Sequence, residues 1–332
     1  MYGESKMVFD KQKLIDAVKQ KFIAEKEKPL TVSVMGQTGV GKSSLLNALF
    51  GTNLKTDDVR PCTKEIEKVI FRGKDKTELW FYDMPGIGES GQADPRYVEE
   101  YRKHLNDSDI VLWAIHADSR SVAFDLESLR KILGENNDDQ AKLISKITFV
   151  LTKADLLTPE PWILAKNDKY GVFAPSNRIT ELLVKKATYF QEMFILPQAD
   201  KIVSQTYNDT GLEINELSLF SDKHTIFYKG LLDEQHLRTL KNRFPMHSAA
   251  FDRLYDNYQV IPCSSLFRFN LSQLLLVIIN RLGHNAISRF SSFVSDELVN
   301  RILMFEAKKY CNIVVFDAVQ QKLLFDMNKQ NF

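Results

Sequence analysis

The amino-acid sequence predicts a doubly wound α/β fold, a mostly parallel sheet with helices on both faces, and three observations carry that expectation. The run Leu30-Thr31-Val32-Ser33-Val34-Met35 reads as a short buried strand; a glycine-rich loop follows it, and then the helical stretch Ser44-Leu45-Leu46-Asn47-Ala48-Leu49-Phe50. Apolar runs recur at Asp109 to Ile115 and Lys146 to Leu151, interleaved with the helical patterns of Tyr97 to Leu105 and Asp125 to Leu133. Glu65 to Phe71 and Thr77 to Tyr82 flank the turn Gly73-Lys74-Asp75-Lys76, a hairpin that adds one antiparallel edge strand.

At 332 residues, with 44% apolar and 26% charged side chains, the chain has an ordinary globular composition and length for one large core or two modest ones. A formal net charge of +1 supplies no global field toward DNA, RNA or an acidic membrane, so any such contact must come from a local patch. Cys62, Cys263 and Cys311 are far apart and lack CxxC spacing, which argues against a disulfide framework or zinc site and for a reducing, cytoplasmic compartment. No uninterrupted apolar export segment is expected at the N-terminus, and the run Leu274 to Ile279 is too short to span a bilayer.

The chemistry is concentrated in Gly36-Gln37-Thr38-Gly39-Val40-Gly41-Lys42-Ser43, which fits GxxxxGK[ST] without mismatch and continues through Ser44 into the helix. Its glycines let consecutive backbone N–H groups turn inward around a phosphate chain, and the helix N-terminus adds partial positive charge. Lys42 then reaches the terminal phosphates, and the Ser43 hydroxyl faces Mg²⁺. Beyond a polar loop from Gly51 to Thr63, the second hairpin strand ends in Asp83-Met84-Pro85-Gly86, where Asp83 can hold Mg²⁺ through water and the Gly86 N–H can approach a γ-phosphate. The strand at Lys146 to Leu151 ends in Thr152-Lys153-Ala154-Asp155. The Asp155 carboxylate can accept from both N1–H and the 2-amino group of guanine, a donor pair adenine lacks, while Lys153 lays its aliphatic stem on the ring.

Taken in order, GQTGVGKS, Thr63 in a proline-containing loop, DMPG and TKAD resemble the first four sequence boxes of a translation-factor-class small GTPase. The wording DMPGIGES, LLNALFG and PCTKE is similar to the bacterial Era-like GTPases, and also to the immunity-related and septin-like GTPases. The resemblance covers residues 28 to 158 closely and resumes near 258 to 282, where Tyr258-Gln259-Val260-Ile261-Pro262-Cys263-Ser264-Ser265 is similar to the family's last box. It implies a P-loop G domain that binds GTP and Mg²⁺ and hydrolyses GTP to GDP. In it Ser43 and Thr63 ligate the metal, Asp83 orders its water shell, Lys42, Thr63 and Gly86 serve catalysis, and Ser264 and Ser265 flank guanine with backbone N–H groups. Two departures bear on rate. Ile87 stands where many relatives place a water-orienting glutamine, and Gly39 stands where potassium-using relatives place asparagine. Both predict slow intrinsic turnover, or help from a dimer partner or another protein.

The predicted organisation is an amphipathic helix over 1–27, a G domain over 28–283 with an insertion at about 196–257, and a helical appendage over 284–332. The N-terminal face of Phe9, Leu14, Ile15, Val18, Phe22 and Ile23 either packs on the domain or, given its lysine-rich opposite side, touches a membrane or partner. Residues 159–171, with Pro159, Pro161 and Gly171, read as loop; Asn177 to Phe194, Asp233 to Asn242 and Phe269 to Leu282 read as helices. His224, His236 and His247 lack metal-site spacing, and no GxxG loop supports RNA binding. The functional expectation is a nucleotide-controlled switch acting on a protein partner from the cytoplasm or peripherally at a membrane. Two alternatives stand beside it: a self-assembling GTPase that dimerises or remodels membranes, and, with less support, a ribosome-assembly factor.

Overall fold

The computed structural model describes residues 29–50, 54, 56, 66–72, 78–85, 95–119, 122–157, 162–167, 170–282, 300–303, 307, 314–317 and 322–326. The N-terminal helix expected over 1–27 lies outside them, as do Thr63, Gly86 and Ile87. The first half of the chain runs β1 (Leu30–Gly36), α1 (Lys42–Phe50), β2 (Glu67–Arg72), β3 (Glu78–Asp83), α2 (Pro95–Asp107), β4 (Ile110–His116), α3 (Ala123–Leu133), α4 (Asn137–Ile144) and β5 (Ile147–Thr152). It continues with β6 (Trp162–Asn167), β7 (Tyr170–Pro175), α5 (Asn177–Phe190), β8 (Val203–Tyr207), β9 (Leu219–Ser221), β10 (Thr225–Lys229), α6 (Glu234–Arg243), α7 (Ser248–Asp256), β11 (Ile261–Pro262) and α8 (Leu271–Leu282). Short strands β12 (Ile302–Leu303), β13 (Val314–Asp317) and β14 (Lys322–Asp326) follow.

Six strands form the central sheet in the order β11-β5-β4-β1-β3-β2. All neighbours pair in parallel except β2 with β3. The strand order reverses at β1, and in open α/β sheets ligands gather at such a switch point, outside the carboxyl ends of the strands. Alternation along the strands divides the core. Val32 and Val34 of β1 and Leu112 of β4 face a cluster built with α1 and α8. Met35, Trp113 and Phe149 face a second cluster, built with α2, α3, α4 and α5. Buried on both faces, β4 and β5 read as near-continuous apolar runs. Each fully buried Leu or Ile of α8 contributes about 2 kcal/mol of transfer free energy, enough in sum to hold that helix on the sheet.

Between α5 and β11 stands a separate α+β unit. β8, β10 and β9 form an antiparallel sheet, covered by α6 and α7 over a core of Leu212, Leu219, Ile226, Leu232, Phe251 and Leu254. Arg281 of α8, buried without a carboxylate partner among its hydrogen bonds, donates instead to the carbonyls of Ser145 and Ile147 and to the Thr148 hydroxyl. Its guanidinium also stacks on Tyr258, whose hydroxyl donates to Ser145 O at 3.0 Å. That network joins the small unit's exit to the central sheet.

Two expectations change. The segment expected as loop around 162–171 forms the β6–β7 hairpin, with Trp162 opposite Pro175. Pro159 and Pro161 precede the strand rather than interrupt it, and Trp162 and Leu164 pack beside Phe173 and Phe267. The expected helical appendage also fails among the described residues. β12 pairs with β7, and β13 pairs with β14. Val314-Val315-Phe316 is β-branched and aromatic, a composition that fits a pleated surface better than a helix. The helix α4, not expected from the sequence, starts where the Asn136 side chain accepts from the N–H groups of Asp138 and Asp139.

Candidate nucleotide-binding site

The glycine-rich loop leaves β1 with Gly36 at φ 141°, Gly39 at 79° and Gly41 at 97°. A Cβ on Gly36 would stand 2.1 Å from the Ala114 carbonyl oxygen of β4, so glycine is required there by contact as well as by conformation. At Gly41 a Cβ would meet Lys153 Cε at 3.6 Å, which shows the Lys153 stem crossing this part of the loop. Lys42 is 6% exposed and its Nζ donates to the carbonyls of Gly36 and Gln37, each at 3.2 Å. A cation held over neutral carbonyls can exchange them for phosphate oxygens with a gain in charge complementarity.

Parallel pairing of β1 and β3 sets Asp83 opposite Val34. That register carries the carboxylate to the first turn of α1, where Ser43 Oγ donates to Asp83 Oδ2 at 2.5 Å. The two metal candidates with described positions are therefore together. A hydroxyl and a carboxylate are hard oxygen donors that fit Mg²⁺, and the ion would complete its shell with phosphate and water oxygens. Among the described residues no group of three or more His, Cys, Asp or Glu side chains could hold a metal alone. Thr38 and Gly39 are exposed at the loop's crest, Val40 is buried beneath it, and Ser44 is half-buried in the first turn of α1.

The other end of the site is built by β5 and β11. Cys263 N donates to Leu151 O at 2.7 Å and Ala154 N donates to Cys263 O at 3.0 Å, so the strand ends are laced together. Thr152 Oγ1 donates to Val40 O at 2.5 Å and to Ile115 O at 3.1 Å, tying the phosphate loop to β4 and β5. Lys153 takes a left-handed conformation at φ 56°. Ser264 Oγ donates to Asp155 Oδ1 and accepts from Phe267 N at 2.9 Å, and Ser265 follows half-buried. The backbone N–H of Ser264, expected to flank a base, donates instead to Phe269 O at 3.2 Å. Its hydroxyl is the group that reaches Asp155.

Two residues entered no motif. Asp125, in the first turn of α3 and 1% exposed, accepts from Gln37 Nε2 at 2.6 Å and from Trp113 Nε1 at 3.4 Å. Burial pushes its carboxyl above the ordinary carboxylate value, and the two hydrogen bonds pull the other way. His116, at the end of β4, is held below the ordinary histidine value first by burial and then by the Lys153 charge, with Asp118 and Asp155 opposing. Its Nδ1 accepts from Asp118 N at 3.1 Å, which leaves the ring proton on Nε2 in the neutral form. Nearby, burial pushes the Cys263 thiol up to about 12, so it is no nucleophile. Only the fold reveals Asp125, whereas His116 ends a buried strand directly opposite Thr152, the first residue of TKAD.

Residues 31–153 match the family described as 50S ribosome-binding GTPase. The uncharacterized Escherichia coli (strain K12) protein YkfA is 37% identical over 129 residues, 39% of this chain and 42% of that protein. GTPase Era of Deinococcus radiodurans is 28% identical over 176 residues, 48% of this chain and 57% of that protein. The solved structure of Aquifex aeolicus Era bound to GDP and AlF4⁻ has a TM-score of 0.43 at 16% identity, covering 76% of this chain and 57% of that one. The chain spans about half the length of the curated relatives it matches. Over residues 31–153 it is similar to that GTPase family, and over 176 residues to GTPase Era.

Proposed function

We propose that this protein binds GTP with Mg²⁺, hydrolyses it to GDP, and uses the two states as a switch on a protein partner. The observation that carries the reading is the pairing at the two ends of one site. Ser43 meets Asp83 at the phosphate end, Ser264 meets Asp155 at the base end, and Thr152 bonded to Val40 joins them. In this reading the N–H groups from Gly36 to Gly41 cradle the phosphates and Lys42 neutralises charge on the β- and γ-phosphates. Ser43 and Thr63 ligate Mg²⁺, Asp83 orders its waters, and Thr63 with Gly86 senses the γ-phosphate. Asp155 selects guanine under the Lys153 stem, with Ser265 lining the approach and the buried Thr152 holding the loop beneath it. Loss of the γ-phosphate releases the Thr63 and Gly86 contacts, and that release is the switch. Turnover without a partner is slow, since Gly39 and Ile87 supply no polar side chain.

Equilibrium binding of fluorescent GTP, GDP and ATP, with and without Mg²⁺, tests the ligand. GTP and GDP should bind at least about 100-fold more tightly than ATP, the discrimination expected of a site with buried polar groups matched to one base. Equal ATP affinity would sink the assignment. The molecular mass in GDP and in a non-hydrolysable GTP analogue tests the switch against self-assembly: a monomer in both states favours the switch, and a dimer with the analogue alone favours assembly.

A further inference from the structure

The phosphate loop is anchored by more than its own motif. Gly36 lies against the Ala114 carbonyl, and the Val40 carbonyl takes the Thr152 hydroxyl. Between those points the loop is thinly packed: among the described residues other than 38–40, no heavy atom lies within 4 Å of the place a Cβ on Gly39 would occupy, and Thr38 is exposed. In that interval the Gln37 amide donates to the buried Asp125 carboxylate at 2.6 Å, and the second Asp125 oxygen faces Trp113 Nε1 at 3.4 Å. Both donors are neutral.

A buried carboxylate beside a site for phosphate carries an electrostatic cost, so an amide would do as well if hydrogen bonding to Gln37 were of no consequence. Two features favour the acid. A bond to an ionised acceptor is roughly twice as strong as a neutral one. Asp125 also sits in the first turn of α3, where the helix N-terminus favours negative charge, and the Val122 side chain at the helix start makes no capping bond.

We propose that Asp125 is a positioning residue of the phosphate loop, acting through the Gln37 amide to hold residues 37–40 in the shape that receives the nucleotide. It touches no nucleotide atom itself. The inference rests on reading this loop as the GTP site, and it adds that α3 carries a handle on nucleotide lifetime. A partner displacing the first turn of α3 would loosen the loop without entering the site.

The test is a double-mutant cycle on the full-length protein, reading the release rates of fluorescent GDP and of a non-hydrolysable GTP analogue. Asp125→Ala and Gln37→Leu should each speed release about tenfold, the loss of one hydrogen bond to a charged group. The double variant should be no faster than either single one, because both remove the same contact. Asp125→Asn with Gln37→Glu reverses donor and acceptor and should restore slow release. A purely structural role would lower the melting temperature and the binding-competent fraction without changing release from the folded molecules. Additive effects, or release within twofold of the parent in both singles, would overturn the proposal. If Asp125→Ala does not fold, the Gln37→Leu rate decides alone, since that half-buried loop side chain leaves the core intact. A parent protein that binds neither nucleotide would refute the GTP reading instead.

Discussion

At the phosphate end of the site, loop shape is set by several contacts that mostly engage the loop backbone: Gly36 against the Ala114 carbonyl, Val40 O beneath the Thr152 hydroxyl, and Lys42 over two carbonyls, with the Gln37 amide on Asp125 beside them. At the base end it is set by a side-chain contact, the Ser264 hydroxyl on the Asp155 carboxylate. A phosphate chain takes Lys42 from the Gly36 and Gln37 carbonyls. A guanine must share or displace a hydroxyl already bonded to the carboxylate that would recognise it. The phosphate end is therefore preorganised, whereas the base end exchanges an internal hydrogen bond for ligand bonds. Most of the affinity should come from the first end, and most of the selectivity from the second.

The largest effect should come from breaking the backbone clamp. Gly36→Ala drives a methyl group into the Ala114 carbonyl, and should cost about 3 kcal/mol of stability and abolish detectable GDP binding. Thermal melting and a GDP titration read both, and parent-like values would mean the clamp does not exist. Next is Asp155→Asn. It removes the paired acceptor and should weaken GTP about 100-fold, equivalent to about 3 kcal/mol, while improving xanthosine triphosphate. An unchanged GTP affinity would refute the base-end assignment.

Ser264→Ala sharpens the contrast further. It takes away the hydroxyl competing for Asp155 and the bond to Phe267 N, so stability should fall by about 1 kcal/mol while GDP affinity stays within about threefold, or about 0.6 kcal/mol. A loss of affinity tenfold or greater would make the Ser264 hydroxyl a ligand contact rather than a stand-in for one.

The smallest effect is in pH. The pKa of His116 is lowered in the folded protein from the ordinary 6.5, so the fold favours the neutral ring. Its contribution to stability is full above 6.5 and is lost as pH falls through the lower folded value. Asp125, with its carboxyl raised, has the opposite sign: its contribution is full below the ordinary carboxylate value and is lost as pH rises through the folded one. Melting curves recorded on acidification below 6.5 should be flatter for His116→Gln than for the parent. Parallel curves would remove His116 from the base end.

The parts read correctly from sequence are those whose physics is local. Gly36, Gly39 and Gly41 declare positive φ through residue type, and Val32 and Val34 alternate with Met35 on two faces of a strand. The hairpin misread around Trp162 shows the reverse. Pro159, Pro161 and Gly171 mark breaks wherever they stand, and only contact with Phe173 and Phe267 reveals that the chain between them is strand. Val314-Val315-Phe316 forms a strand where a helix is expected for a related reason: short apolar runs fit helix and strand periods alike.

By itself the sequence determined the phosphate loop, the Asp155 carboxylate just beyond β5 to which we assign guanine selection, and the mostly parallel sheet that joins them. Each follows from what a few adjacent residues can do with their own backbone. Tertiary structure alone decided that Asp125 grips Gln37 from 88 residues away and that Ser264 occupies Asp155 from 109 residues away. An aspartate in a first helical turn or a serine after a strand has many possible partners of nearly equal energy, and only the packing of α3 and β11 on the sheet selects one.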